Sequence, residues 1–127
     1  MQIFKYCYIY FWTMNPPTPQ QQRFKAQIFH ALSDPDRLEI LEFLRHGEKC
    51  VCEIVPHLSL IQPVVSRHLK ILRDTGIIRC RKDGTKRMYS IVNLQILNSV
   101  DELTPELVGV LQQEVMQHMS CNPVGDA

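Results

Sequence analysis

The chain has 127 residues and near-balanced charge, 14 Lys and Arg against 13 Asp and Glu, a length that fits one domain. No apolar run approaches the roughly 20 residues of a membrane span. Its five cysteines are odd in number and scattered, which argues against a secreted disulfide framework and for reduced thiols in a cytoplasmic protein.

Residues 1–17 read as an N-terminal arm and linker. The arm carries Phe4, Tyr6, Tyr8, Tyr10, Phe11 and Trp12, and the linker is rich in Pro and Gln. It lacks the small-residue cleavage site of a signal peptide. Met14 is a second candidate start, which would make the preceding residues an extension. If they are made, they form a sticky arm that needs cover from the fold or a partner.

A domain is expected over 18–119. Thr18 caps a first helix to about Leu32, with Phe24, Ile28, Phe29, Ala31 and Leu32 at helical spacing. Asp34 caps a second, with Pro35 at its first position. This helix carries Leu38, Ile40, Leu41, Phe43 and Leu44 and ends near His46-Gly47. A third helix covers about Val51 to Leu58, tightened by Pro56. Ser59 to Gln62 is a turn, and a fourth helix runs from about Pro63 to Asp74-Thr75-Gly76. Two short runs, 77–81 and 86–91, flank Lys82-Asp83-Gly84-Thr85, a strong hairpin signal. Helices follow at Asn93 to Val100 and from Thr104 to about 119, leaving 120–127 as a tail.

Helix, turn, helix and hairpin in this order predict a mainly α fold with a β-hairpin wing, a winged helix-turn-helix that places its second helix in a DNA major groove. The charge distribution agrees. From Ser66 to Ser90 eight Lys or Arg oppose two Asp, whereas from Asp101 onward there are five acids and no Lys or Arg. Such a basic patch suits double-stranded DNA. Gln62, Ser66, Arg67, His68 and Lys70 are expected at the groove, with His68 open to a packing role. Arg81, Lys82, Lys86 and Arg87 are expected at phosphates or the minor groove. The terminal helices carry more apolar surface than one small domain covers, which predicts a homodimer.

From about residue 20 to 92 the sequence resembles the ArsR/SmtB family of metal- and metalloid-sensing repressors. The resemblance is carried by Leu32-Ser33-Asp34-Pro35-Asp36-Arg37-Leu38-Glu39-Ile40-Leu41, by Cys50-Val51-Cys52-Glu53-Ile54, by Gln62 to Leu72, and by Gly76-Ile77-Ile78 leading into a basic wing that ends at Tyr89. It implies a homodimer that represses resistance genes and leaves its operator when an ion binds. It points to the arsenic-type branch, with cadmium or lead sensing as the alternative. Two positions depart from the family. Val55 stands where well-known arsenic sensors have a third Cys. Asn93 and Gln95 stand where zinc sensors of the C-terminal helices have Asp and His, so that zinc site is expected to be absent.

Cys50 and Cys52 cannot chelate one ion from mid-helix, because residues i and i+2 point about 200° apart. They can if Cys50 precedes the helix, whose N-terminus also favours thiolate. Soft thiolates select soft ions, so the expected effector is arsenite, antimonite or another thiophilic ion, with no organic cofactor. Zinc would want four ligands, with His57 or His46 as the nearest nitrogen. Cys121 is the favoured third sulfur. Cys7 and Cys80 are the other candidates, Cys80 also reading as a small buried residue of a strand. A redox switch of the Cys50/Cys52 pair without metal is a further alternative. A thiol oxidoreductase is disfavoured because the βαβ pattern is missing. No enzyme constellation is present.

Overall fold

The computed structural model describes residues 14 and 16–121. The described residues divide into two units, one ending at Val92 and one beginning at Asn93.

The first unit begins with helix α1 (Pro19–Leu32), opened by a reciprocal cap in which Gln21 N–H donates to the Thr18 hydroxyl and Thr18 N–H donates to the Gln21 side chain. Helix α2 (Pro35–Leu44) starts on Asp34, whose carboxylate accepts from Asp36 N and Arg37 N at 2.9 and 3.2 Å. It ends at Leu44, slightly short of the expected His46-Gly47. Strand β1 (Lys49–Cys50) leads directly into helix α3 (Val51–Leu58). The next helix, α4 (Gln62–Asp74), carries Pro63 in its first turn, where a missing N–H costs nothing. It closes with Gly76 N–H on Arg73 O and Ile77 N–H on Leu72 O. This closure needs positive φ at Gly76, which is +77°.

Strands β2 (Ile78–Asp83) and β3 (Lys86–Ile91) form an antiparallel hairpin. Asp83 pairs with Lys86, so the loop is Gly84-Thr85, one step later than the Asp-Gly signal suggests. Gly84 takes φ +62°, the positive value that the first position of a two-residue turn requires. The sheet has a third strand that sequence patterning missed. The two-residue β1 pairs with β3, Lys49 opposite Tyr89 and Cys50 opposite Met88.

Ile40, Leu41 and Leu44 of α2, Ile54 of α3, Val65, Leu69 and Leu72 of α4, and Ile77, Ile78 and Tyr89 are buried together in this unit. Each large aliphatic contributes about 1.5–3 kcal/mol when fully buried. The spacing 65, 69, 72 puts one face of α4 into this core and leaves the opposite face to solvent. Phe24 and Phe29 of α1 remain exposed.

The second unit consists of α5 (Gln95–Asp101) and α6 (Pro105–Cys121). The Thr104 hydroxyl accepts from Leu107 N–H at the start of α6. Along α6, Leu107, Val108, Val110, Leu111, Val115, Met116 and Met119 are all exposed. Among the described residues no helix is long and apolar enough to cross a membrane.

Candidate functional site

Helix α4 presents its solvent side as two rows. Gln62, Ser66, Lys70 and Arg73 follow one another at intervals of one turn and, with Arg87 and Tyr89 of β3, line a hollow of about 300 Å³ between helix and wing. Arg67 lies on the outward ridge and is exposed. Lys70 is partly occupied, its ammonium 2.8 Å from Asp74. Arg73 belongs to the basic run from Ser66 to Ser90 but is not among the residues that the sequence places at DNA. Its spacing of three from Lys70, on the same helical flank, was the available signal.

His68 takes the packing role rather than the outward one. Its side chain is only 13% exposed, with Nε2 3.7 Å from Asp36 and Nδ1 3.3 Å from Arg37 Nη1. Arg37 is itself buried. Its Nε donates to Ala31 O at 2.6 Å and its Nη2 to His30 O at 3.3 Å. The guanidinium therefore closes the C-terminal carbonyls of α1, where a cation also meets the negative end of the helix dipole. It holds α4 from behind through His68. Asp34, Asp36 and His68 offer ligand atoms within 4.8 Å of one another, but Arg37 already sits 3.7 Å from Asp34, and a guanidinium at that place disfavours a cation.

On the wing, Lys82, Lys86 and Arg87 are exposed. Arg81 is different, because its guanidinium is paired with Glu48, with Nε 2.8 Å from a carboxylate oxygen. The hydrogen bond from Arg81 holds the Glu48 carboxyl below its ordinary value, and the same bond raises Arg81.

The thiol pair lies where β1 turns into α3. Cys50 is the N-cap, with φ −76° and ψ 152°, so its backbone is extended while Cys52 is already helical. Glu53 reaches back to accept from Cys50 N at 2.8 Å, and Cys50 Sγ accepts from Cys52 N–H at 3.1 Å. The two sulfurs therefore lie side by side, within bonding distance as a Cys50–Cys52 disulfide, with Cα atoms 5.1 Å apart. Cys50 is buried and Cys52 exposed. In the reduced pair, Cys50 Sγ sits at the positive end of the helix dipole, within hydrogen-bond reach of the Cys52 N–H. Two thiolates on one side of a helix start suit a soft ion.

The remaining candidate ligands stand elsewhere. His57 stacks on Phe43 with ring centroids 3.9 Å apart, and its Nε2 is 2.9 Å from Glu39. Cys80 is a free thiol on β2 beside Tyr89. Burial, and then the Cys80 side chain, push the Tyr89 phenol up. Cys121 is the last residue of α6, and its side chain lies outside the described residues, as does Cys7.

The thiols and the basic wing share a space. A cleft of about 440 Å³ is lined by Cys50, Cys52, Gln62, Thr85, Lys86 and Arg87 among others. Thr85, the second residue of the hairpin loop, carried no sequence signal for this place.

Helix, turn, helix and a basic antiparallel hairpin on one core define a winged helix-turn-helix, a class that binds DNA. The model of the "Bacterial regulatory protein, arsR family" matches residues 34–79. An uncharacterized HTH-type transcriptional regulator, MJ1325, of Methanocaldococcus jannaschii is 46% identical over 82 residues, covering 61% of this chain and 92% of that protein. The arsenical resistance operon repressor of Staphylococcus xylosus is 40% identical over 86 residues, covering 61% and 83%. The crystal structure of Mycobacterium tuberculosis Rv0081 superposes with a TM-score of 0.64 at 30% identity, covering 78% of this chain and 99% of that one. The chain belongs to the ArsR family of DNA-binding transcriptional repressors and is not an enzyme.

Proposed function

We propose that the protein is a homodimeric repressor that binds operator DNA through α4 and the wing and releases it when a thiophilic ion, arsenite or antimonite, is held by Cys50 and Cys52. The observation that carries this reading is the shared cleft. The sulfurs line the same walls as Gln62, at the start of α4, and as Lys86 and Arg87 of the wing. Drawing both thiolates onto one ion fixes the start of α3, which packs on α4. An ion shifts the equilibrium only by its differential affinity for the two forms.

On DNA, Gln62, Ser66, Arg67 and Lys70 face the groove, and Lys82, Lys86 and Arg87 meet phosphate, with Arg81 joining them when Glu48 lets go. His68 supports the helix from behind. The exposed apolar residues of α6 and Phe24 and Phe29 of α1 supply the two-fold interface. A pyramidal arsenic centre needs a third ligand beyond the pair, supplied either by Cys121 or by a thiol from solution.

Titrating the reduced protein with arsenite, antimonite, cadmium and zinc tests the effector. Sulfur-to-ion absorption should saturate at one arsenite per chain and vanish in Cys50→Ser and Cys52→Ser. Zinc binding tighter than arsenite would overturn the assignment. A second reading is supported by the bonded sulfurs themselves: oxidation of the pair removes both ligands and makes the response redox-dependent. Operator release by peroxide, with none by arsenite in the reduced protein, would favour it.

A further inference from the structure

We infer that the cleft beside the thiol pair binds a small thiol bearing carboxylates, which supplies the third sulfur to the ion held by Cys50 and Cys52. This rests on the proposed ion site and names the partner that completes it.

The cleft has two chemically different ends. Cys50 and Cys52 stand at one, and Gln62, Thr85, Lys86 and Arg87 at the other. Its volume of about 440 Å³ falls within the few hundred Å³ typical of small-molecule sites, far more than a single arsenic atom fills. Its two cations are available. Among the described residues, Arg81 and Lys70 are neutralised by Glu48 and Asp74, whereas Lys86 and Arg87 take part in no ion pair. Gln62 and Thr85 add hydrogen-bonding groups. A ligand with sulfur at one end and carboxylates at the other matches this arrangement, since carboxylates pair best with Lys and Arg.

Among the described residues, nothing else in the lining supplies a third sulfur. Cys80 does not line the cleft, and His57 is engaged by Phe43 and Glu39. Once the Cys50–Cys52 bond has been reduced by an added phosphine, the chemistry is ligand exchange. Arsenous acid gives up three hydroxyls, and three thiols, two from the protein and one from the small ligand, give up three protons. Three As–S bonds form, three waters leave, and arsenic stays trivalent. The same carboxylates occupy Lys86 and Arg87, so the complete adduct withdraws two wing cations from phosphate as it forms.

The test uses the full chain, reduced with phosphine and desalted without air. Arsenite affinity is measured with no thiol, with glutathione (carboxylated), with 2-mercaptoethanol (neutral) and with cysteamine (cationic). Two charge-assisted contacts at a partly exposed site predict arsenite affinity about fivefold to tenfold tighter with glutathione than with 2-mercaptoethanol, and weakest with cysteamine. A Lys86→Ala/Arg87→Ala double variant should bind arsenite but treat the three thiols alike, and Cys121→Ser should behave as the parent protein. Three As–S bonds from the protein alone, lost in Cys121→Ser and indifferent to glutathione, would overturn this inference while leaving the ion site standing. No arsenite binding under any condition would overturn both.

Discussion

Replacing Arg37 by Met keeps most of the apolar stem and removes the guanidinium. That group makes one short hydrogen bond, 2.6 Å to Ala31 O, two long ones of 3.3 Å, to His30 O and to His68 Nδ1, and a 3.7 Å ion pair with Asp34. A charge-assisted bond contributes about 1.5–3 kcal/mol and weaker ones about 0.5–1 each. These contributions are already net of taking the partners out of water. Asp34 keeps its two backbone donors, so the variant leaves no bare carboxylate. Summed over the three hydrogen bonds, the net loss is about 2.5–5 kcal/mol. With a urea slope of about 2 kcal/mol/M, the midpoint should fall by about 1.3–2.5 M at fixed protein concentration. Operator affinity should fall as well, because His68 loses a partner that holds α4 in place. A variant within about 0.5 kcal/mol of the parent would refute the reasoning and place Arg37 among the buried ions that hydrophobic residues replace without loss.

Glu48→Gln frees Arg81, so operator binding should tighten at low salt and its salt slope should steepen by about one; fluorescence anisotropy across a salt series checks both. Asp34→Ala removes a cap and should cost about 1 kcal/mol at neutral pH. Burial raises the Asp34 carboxyl, but the Arg37 and Asp36 N–H groups and the Arg37 charge outweigh it and hold it below its ordinary value. A depressed folded value stabilises above the unfolded value of about 3.9 and is lost as pH falls through the folded value. The gap between parent and variant in urea titrations should therefore close below about pH 4. Leu111→Glu with Val115→Glu places charge on the apolar surface of α6 and should convert a dimer at roughly micromolar concentration to monomer by sedimentation, with weaker operator binding.

Local chemistry made the helices legible. Thr18, Asp34, Pro35 and Pro63 mark starts that backbone geometry enforces, and Gly76 marks a stop that needs positive φ. The two-residue β1 left no trace, since Lys49-Cys50 is too short for an alternating pattern and exists only because β3 offers an edge. Chelation by the pair requires Cys50 to sit at or before the helix start, and its N-cap backbone meets that condition. Which basic residues are available was not legible. Arg81 and Lys86 look equivalent in sequence, yet Glu48, 33 positions from Arg81, neutralises one of them. His68 likewise stands in a polar run of α4, and Asp36 and the buried Arg37 of α2 hold it inward.

The central claim is that ion capture by the Cys50/Cys52 pair is coupled to release of DNA. It is tested most directly by measuring operator affinity of the reduced protein and of the Cys50→Ser/Cys52→Ser double variant, each with and without arsenite at fixed salt. The account predicts equal affinity of the two proteins without arsenite. With arsenite the parent should lose about 5- to 150-fold, the range of a 1–3 kcal/mol coupling, and the double variant should lose nothing. A double variant that still leaves its operator when arsenite is added would contradict it.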